Sequence, residues 1–258
     1  MARQVEGKVV IVTGGAGGIG SATSRLLTAE GARVVVADID GAGAEALAHE
    51  IGGDAIAVCF DAGDADSVKA LVGQTAQHFG RIDVLHNNAA MTGVETRDDV
   101  DFLTTKVETW DNAMRINLRS MFVSCQAAIP YMMEQGRGSI INMSTAGAAR
   151  ATSGGAAYLA SKAGVASLSR SLAVQFGRHG IRSNSIMPGV IMTPLLKSHI
   201  SSTLQMLPTM PYFRDGQAED IARLVLFLGS DASEFINGQA LACDGGYLAG
   251  EGPVRSQF

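Results

Sequence analysis

The stretch Thr13-Gly14-Gly15-Ala16-Gly17-Gly18-Ile19-Gly20 follows a β-branched run at 8–13 and leads into a helical pattern that continues to residue 30. A helix N-terminus presents free backbone N–H groups, which can bind a pyrophosphate. Glycines suit such a turn because a Cβ would block the turn and keep the backbone away from the phosphate. The order of strand, glycine turn and helix therefore predicts a dinucleotide cradle, although a glycine-rich turn alone can also be purely structural.

Beyond this turn, short β-branched runs alternate with longer helical patterns. The predicted strands lie at 8–13, 33–38, 55–60, 82–87, 139–144, 182–187 and 239–244. The predicted helices lie at 18–30, 41–51, 65–79, 108–134, 157–179 and 217–229. Alternating β and α elements with continuous apolar strands predict an α/β fold, a Rossmann-type doubly wound parallel sheet flanked by helices. The composition shows no linker, so we expect a single dinucleotide-binding and catalytic domain over 1–258.

Composition and charge exclude several function classes. The 258 residues carry a formal charge of -5 without a run of like charge, which disfavours nucleic acid and anionic membranes as partners. The first apolar segment is too short for a signal peptide or a membrane span. Cys59, Cys125 and Cys243 are far apart and lack metal-ligand spacing, which predicts no metal site. We therefore expect a cytoplasmic protein.

The second predicted strand ends at Asp38, eighteen residues after Gly20. This is close to the spacing at which an acidic side chain accepts hydrogen bonds from the adenine-ribose hydroxyls. A carboxylate at this position repels a 2′-phosphate, and neither Gly17 nor Ile39 supplies a compensating cation, so NAD is favoured over NADP. The alternative is a helix-capping role, for which Asp40 is an equally good candidate.

Two further strand ends carry candidate cofactor contacts. Asp61 follows the third predicted strand, and its carboxylate can accept a hydrogen bond from the exocyclic amino group of adenine. Asn87-Asn88-Ala89-Ala90 follows the fourth strand, where small residues and amides leave room for a ribose. Each also has a purely structural interpretation. Asp61 can be a loop or helix-cap residue, and the motif at 87–90 can be an ordinary turn.

Tyr158 and Lys162 stand four residues apart at the start of the predicted helix 157–179, so they share one helix face. A phenol has a pKa of roughly 10, and lowering it to neutrality needs about 4 kcal/mol of preferential stabilisation of the phenolate. A nearby ammonium has the right sign for this, and Lys162 can also donate to the nicotinamide ribose. The spacing alone is common by chance and also fits a surface aromatic beside a solvated lysine.

Two other residues make the chemistry coherent. Ser144 ends the fifth predicted strand, at the edge where doubly wound sheets bind ligands, and can hold a carbonyl or hydroxyl oxygen beside Tyr158. Asn117, in the predicted helix 108–134, can hold a water or a helix carbonyl on the proton path from Lys162. The set predicts a catalytic tetrad in which Tyr158 is the general base for alcohol oxidation and the general acid for ketone reduction.

With these residues in place, the chain resembles the short-chain dehydrogenase/reductase family in its compact NAD(P)-dependent form, over essentially its whole length. The resemblance rests on TGGAGGIG at 13–20, Asp38, Asp61, NNAA at 87–90, Asn117, Ser144, YLASK at 158–162, and Pro188-Gly189 followed by Thr193. It implies a sheet of about seven strands, hydride transfer between a nicotinamide and a carbonyl or alcohol carbon, and a homotetramer. Two departures are small: the family usually has NNAG, and the interval from Ser144 to Tyr158 is one residue longer than usual.

The resemblance also implies the cofactor contacts. Ile191 and Thr193 would contact the nicotinamide carboxamide, and Val190 through Gly216 would form the substrate loop. The full expected set is Gly14, Gly17, Gly18, Ile19, Gly20, Asp38, Ile39, Asp61, Ala62, Asn88, Ala89, Ala90, Tyr158, Lys162, Pro188, Gly189, Ile191 and Thr193.

The expected reaction is hydride transfer between NAD(H) and a small-molecule secondary alcohol or ketone. The apolar side chains of the loop near 190–216 favour a moderately hydrophobic or cyclic substrate, although they can equally pack the loop onto the body. They are Met192, Leu195, Leu196, Leu204, Met206, Leu207, Met210 and Phe213. An NADPH-dependent 3-oxoacyl-type ketoreductase is the alternative that Asp38 opposes, and an enoyl reductase is disfavoured by Ser144 and the Tyr158–Lys162 spacing. A non-catalytic NAD-binding sensor or scaffold would not need the tetrad.

Overall fold

The computed structural model describes residues 3–92, 98–150, 152–197 and 211–252. Its strands are β1 (Val9–Thr13), β2 (Arg33–Asp38), β3 (Ile56–Cys59), β4 (Val84–Asn87), β5 (Gly138–Met143), β6 (Ile181–Pro188) and β7 (Ala240–Cys243). They form one parallel sheet in the order β3-β2-β1-β4-β5-β6-β7. The predicted doubly wound sheet is confirmed, and each predicted strand end lies within two residues of the observed one. The strand order reverses between β1 and β4, which opens a crevice at their carboxyl ends.

Helices pack on both faces of the sheet. They are α1 (Gly18–Ala29), α2 (Gly41–Ile51), α3 (Ala65–Phe79), α4 (Val107–Ala113), α5 (Ser120–Gln135), α6 (Ala156–Phe176), α7 (Pro194–Lys197) and α8 (Ala218–Gly229). Alternate residues of each strand enter two separate cores, as the period of a strand requires. Val10 and Val12 of β1 pack with residues of α1, α2 and α8, whereas Ile11 packs with residues of α3, α5 and α6.

The predicted helix 108–134 is interrupted. Between α4 and α5 the chain forms a π-helical turn over Met114–Arg119, and Asn117 lies inside it. A π-turn leaves the regular helical hydrogen-bond spacing and is frequent at functional sites. No feature of the apolar periodicity predicted this interruption.

The predicted loop at 190–216 is anchored at both ends. Ile191 and Gly216 form a parallel bridge, and the Met192 N–H donates to the Gly216 carbonyl at 2.8 Å. The loop also contains the short helix α7, which the sequence did not predict. Leu204, Met206, Leu207 and Met210 lie outside the described residues. Of the apolar side chains proposed for the loop, those at 192, 195, 196 and 213 are described.

Two further properties concern the described ranges as a whole. No helix within them is long and apolar enough to cross a membrane. The same residues contain no group of three or more His, Cys, Asp or Glu side chains arranged to bind a metal ion. Cys59, Cys125 and Cys243 are free thiols.

A buried histidine makes the fold sensitive to acid. His86 lies on β4 with its side chain fully buried, and burial lowers its pKa to about 4, with the Ile141 backbone opposing this only in part. The folded state therefore keeps the ring neutral, whereas the unfolded chain binds a proton below its ordinary pKa of about 6.5. Stability is thus fully present above about pH 6.5 and falls by about 1.4 kcal/mol per pH unit down to about pH 4.

We therefore expect His86→Leu to reduce the acid sensitivity of the protein. Between pH 7.5 and pH 5, the free energy of unfolding of the wild type should fall by about 2 kcal/mol more than that of the variant. Urea unfolding at both pH values measures this difference. His49→Gln, at an exposed site on α2, is the matched control. Equal acid sensitivity of wild type and His86→Leu would refute the assignment.

Candidate active site

A cavity of about 690 Å³ opens at the carboxyl ends of the central strands. Every residue predicted to contact the cofactor lines this cavity except Gly20. A Cβ on Gly20 would collide with the carbonyl of Gly14, so this glycine allows the turn to close on itself and does not face the cavity. Tyr158, Lys162 and Ser144 of the predicted tetrad also line the cavity, whereas Asn117 lies behind the wall.

The glycine turn forms a compact cradle in which added side chains would collide with neighbouring segments. Gly14 has a φ of +62°, and a Cβ there would lie 3.0 Å from the amide nitrogen of Asn88. A Cβ on Gly18 would lie 2.8 Å from the Cβ of Thr193, so glycine at 18 lets the segment after β6 approach the cradle. Gly17 is the cap residue of α1 and provides no side-chain hydrogen bond to its first turn. The N–H groups of this turn therefore remain available to an anion.

Asp38 and Asp40 have separate roles in the structure. The Asp38 carboxylate accepts hydrogen bonds from the N–H of Ala16 at 3.0 Å and the N–H of Asp40 at 3.1 Å, and it lines the cavity. Asp40 caps α2 by accepting from the Gly43 N–H at 3.0 Å. The capping alternative considered for Asp38 therefore belongs to Asp40. Within the described part of the cavity wall, the one cationic side chain is that of Lys162.

The ends of β3 and β4 complete the cofactor side of the cavity. The carboxylate of Asp61 accepts from the Gly63 N–H at 2.7 Å and lies at the rim with Ala62. The amide of Asn88 donates to the carbonyls of Thr13 and Gly14, and thereby ties the end of β4 to the glycine turn. Asn88 thus shapes the cradle, and Ala89 and Ala90 line it.

Tyr158 lies in the first turn of α6, with its hydroxyl beside the side chain of Thr145. Burial raises the pKa of Tyr158 to about 12, although the contact with Thr145 opposes this rise. Thr145 lines the cavity and is absent from the residues that the sequence singled out. A signal was available: the interval from Thr145 to Tyr158 is thirteen residues, one fewer than the interval from Ser144.

Ser144 makes a different contact. Its side chain is buried, and its hydroxyl donates to the backbone carbonyl of Lys162 at 2.8 Å. This hydrogen bond holds the end of β5 against α6. The hydroxyl that meets the phenol of Tyr158 is therefore that of Thr145.

Lys162 is almost fully buried, and its ammonium donates to the carbonyl of Met143 at 2.8 Å. Its Nζ lies 5.9 Å from the centroid of the Tyr158 ring. Burial lowers the pKa of Lys162 to about 7, because the apolar surroundings disfavour the charged form. Burial raises the pKa of Tyr158 more than the contact with Thr145 lowers it, whereas pairing with the Lys162 ammonium alone would lower this pKa.

Asn117 connects the π-turn to both sides of the site. Its side-chain oxygen accepts from the N–H of Met91 at 2.6 Å, and its amide donates to the hydroxyl of Ser161 at 3.1 Å. Met91 lines the cavity, and Ser161 precedes Lys162 on α6. The side chain of Asn117 therefore contacts the neighbours of the cavity and of Lys162. Its predicted place on a proton path stays a prediction.

The residues present fit a dinucleotide. Gly14 and Gly18 let Asn88 and Thr193 pack closely on the turn that lines the cavity, the first turn of α1 is open to an anion, and an acidic side chain ends β2. The same cavity is lined by Tyr158 and by the apolar residues Val190, Leu195 and Leu196, and it has room for a second molecule. This cavity can therefore bind a nucleotide and place the proton-transfer group, Tyr158, beside the reacting carbon of a substrate.

Comparisons with known proteins agree with this geometry. A family model described as enoyl-(acyl carrier protein) reductase matches residues 14–248. The chain is 36% identical over 248 residues to the 7alpha-hydroxysteroid dehydrogenase of Bacteroides fragilis, covering 93% of this chain and 94% of that protein. It is 36% identical over 249 residues to a 3-oxoacyl-[acyl-carrier-protein] reductase of Thermotoga maritima, covering 95% and 99%. A crystal structure of levodione reductase matches with a TM-score of 0.89 at 33% identity, covering 94% of this chain and 98% of that chain.

Proposed function

Because the chain belongs to the short-chain dehydrogenase/reductase family, we propose that it transfers a hydride between NAD(H) and a secondary alcohol or ketone. The observation that carries the proposal is the shared cavity. The glycine turn and Asp38 line the same cavity as the neighbouring side chains of Tyr158 and Thr145. The named relatives act on different compounds, so the reaction class has broader support than any one substrate.

In the oxidative direction, the Tyr158 oxygen takes the proton of the substrate hydroxyl, while a hydride leaves the carbon that bears this hydroxyl. The Thr145 hydroxyl holds the substrate oxygen beside the phenol, and in the reductive direction Tyr158 returns the proton. A nicotinamide held in this cavity would supply the hydride chemistry, and the positive charge of its oxidised form would favour the phenolate of Tyr158. Lys162 would donate to the nicotinamide ribose, and burial lowers its pKa to about 7, near neutrality.

Asn117 and Ser144 complete the proposed tetrad from behind the reacting groups. Asn117 holds Ser161 and Met91, and Ser144 holds the Lys162 carbonyl. Ser144 thus contacts the backbone at Lys162, and Asn117 contacts the side chain of the residue before it. The substrate-orienting role expected for Ser144 is taken in our proposal by the neighbouring Thr145.

The preference for NAD over NADP is supported by Asp38. A 2′-phosphate beside this carboxylate would be repelled, and the cavity wall described near it offers Ile39 and Gly17 in place of a cation. The wild type should therefore bind NAD at least about tenfold more tightly than NADP. Asp38→Asn should weaken NAD binding by about tenfold, since a charge-assisted hydrogen bond contributes about 1.5 to 3 kcal/mol. The same substitution should reduce the preference for NAD over NADP.

Isothermal titration of both cofactors measures this change. Asp40→Asn is the matched control, because its carboxylate caps α2 two residues away. An equal loss of NAD affinity in Asp40→Asn would contradict the assignment of Asp38 as the carboxylate that selects NAD. A wild type that prefers NADP would contradict it as well.

The substrate pocket supports a moderately hydrophobic or cyclic alcohol. The cavity wall includes the apolar side chains of Met91, Val190, Leu195 and Leu196. The hydroxysteroid dehydrogenase relative is named for a ring alcohol, which is consistent with such a wall. The 3-oxoacyl reductase relative keeps the NADPH-dependent ketoreductase open as a second candidate, which Asp38 opposes. Carbonyl chemistry is favoured over enoyl reduction by the Tyr158–Thr145 pair.

The deciding experiment is cofactor reduction, followed at 340 nm, with a panel of secondary alcohols. The panel covers steroids, cyclic alcohols, cis-dihydrodiols, sugar alcohols and hydroxyacyl esters, each tested with NAD and NADP. Turnover with NAD supports the proposal and names the substrate class. Preference for hydroxyacyl esters with NADP would support the ketoreductase, and tight NAD binding without turnover would support a sensor or scaffold.

We also propose that the chain acts as a single domain, in the cytoplasm, as a homotetramer. Support for assembly comes from α4 and α5, where Trp110 and Phe122 remain exposed by 40% and 50%. Apolar side chains on one surface are typical of interaction sites. Light scattering of the purified protein tests the assembly state.

A further inference from the structure

The carboxylate of Asp99 lies at the N-terminus of α6, the helix that carries Tyr158 and Lys162. One carboxylate oxygen accepts from the N–H of Ala157 at 3.2 Å, and the other accepts from the N–H of Tyr158 at 2.9 Å. The backbone carbonyl of Asp99 accepts from the N–H of Gly155 at 2.7 Å. The residue is only 4% exposed, so these hydrogen bonds are shielded from water.

The first turn of α6 depends on this distant residue. Gly155 is the cap residue of α6 and, as a glycine, provides no side-chain hydrogen bond to the helix. Its φ of +83° is a left-handed backbone conformation, which favours glycine at that position. The helix also has no acidic residue in its own first turn. Asp99 therefore supplies both the hydrogen-bond acceptors and the negative charge that a helix N-terminus favours.

The two chain segments are in close backbone contact. A Cβ on Gly154 would lie 2.7 Å from the carbonyl oxygen of Val100. Glycine at 154 thus lets the segment containing Asp99 approach α6 closely enough for its carboxylate to reach the first turn. The contact can be opened from either side, by changing Asp99 or by adding a methyl group at Gly154.

We propose that Asp99 is a positioning residue for the hydride-transfer reaction, which fixes the backbone of Tyr158 and thereby the placement of its phenol on Thr145. This inference rests on the proposed function. Tyr158 lies in the terminal turn that Asp99 holds, whereas Lys162 lies one turn further along and has its own contacts to Met143 and Ser144. Loss of the carboxylate should therefore disturb proton transfer more than cofactor binding.

The test is Asp99→Asn, with Asp98→Asn as the matched control. Asp98 is the adjacent carboxylate and makes an exposed ion pair with Lys106. Asn at 99 keeps one acceptor oxygen but presents an NH2 group to the second backbone N–H. We expect kcat to fall about 10- to 30-fold, since small misplacement of a reacting group is costly, with the Kd for NAD changed less than about twofold. Amide exchange of residues 155–160 should accelerate by about fivefold, and Asp98→Asn should change none of these.

Gly154→Ala provides a second variant that keeps every side chain of the site and covers the case in which Asp99→Asn does not fold. It should give the same selective loss of kcat. A wild-type kcat in either folded variant would overturn the inference, as would unchanged amide exchange or an NAD affinity lost in parallel with kcat. If the wild type oxidises no alcohol, the proposed function fails, and amide exchange still supports or refutes the hold of Asp99 on α6.

Discussion

Tyr158→Phe is expected to lower kcat by about a thousandfold, because the variant lacks the hydroxyl that accepts and returns the substrate proton. The ring remains, so its packing in the cavity and its distance from Lys162 are preserved. The change thus removes the contact with Thr145 and the titrating group while leaving the cofactor cradle intact. Steady-state rates with the best alcohol of the panel, together with the Kd for NAD, measure the effect.

The control for this substitution is Tyr131→Phe, on the outer part of α5. Tyr131 is 36% exposed and does not line the described cavity, so the loss of its hydroxyl should leave kcat unchanged. A Tyr158→Phe protein that kept a tenth or more of the wild-type kcat would show that another group transfers the proton. A parallel loss of NAD affinity would instead indicate damage to the cofactor site.

The strands and the glycine turn could be predicted because both are read from short stretches of sequence. Buried parallel strands contain continuous apolar runs, as at 34–37, and here a glycine turn stands between such a strand and a helical pattern. The π-turn around Asn117 left no signal in the apolar periodicity, and the contacts of its Asn117 side chain are with Met91 and Ser161, from distant parts of the chain. Asp99 escaped notice for the same reason, because its partners lie more than fifty residues away.

The sequence also could not predict the pKa values of the residues in the site. The spacing of Tyr158 and Lys162 predicts a shared helix face, and both line one cavity. It does not predict how deeply the ammonium is buried. Burial lowers the pKa of Lys162 to about 7 and raises the pKa of Tyr158 to about 12. A phenol whose pKa is raised in this way keeps its proton at neutral pH, and a positive charge beside it would favour the release of that proton.

The sequence also could not decide which of two neighbouring hydroxyls orients the substrate. Ser144 and Thr145 are adjacent at the end of β5, and consecutive side chains in an extended chain point in opposite directions. The hydroxyl of Ser144 meets the backbone of α6 at Lys162, whereas Thr145 lies beside the phenol of Tyr158. The sequence offers both hydroxyls, and only the path of the chain into the short helix at 146–148, which Thr145 caps, decides between them.

Thr145→Val should lower kcat/KM by about a hundredfold, whereas Ser144→Ala should leave it within about threefold of the wild type. Removal of one preorganised donor to a reacting oxygen costs about 10²- to 10³-fold, and valine keeps the shape of threonine without its hydroxyl. Ser144→Ala instead removes a buried hydrogen bond to the Lys162 carbonyl, which should reduce the free energy of unfolding by about 1 kcal/mol. Steady-state kinetics and urea unfolding of both variants separate the two effects.

Thr145→Ser is the matched control, because it keeps the hydroxyl and should retain most of the activity that valine removes. If Ser144→Ala lost activity and Thr145→Val kept it, the hydroxyl one residue earlier would hold the substrate oxygen, as the sequence first indicated. Loss in both variants would mean that the hold of Ser144 on α6 is itself required to place Tyr158. In that case the phenol would depend on backbone contacts at both ends of its turn, from Ser144 through Lys162 and from Asp99 at the N-terminus.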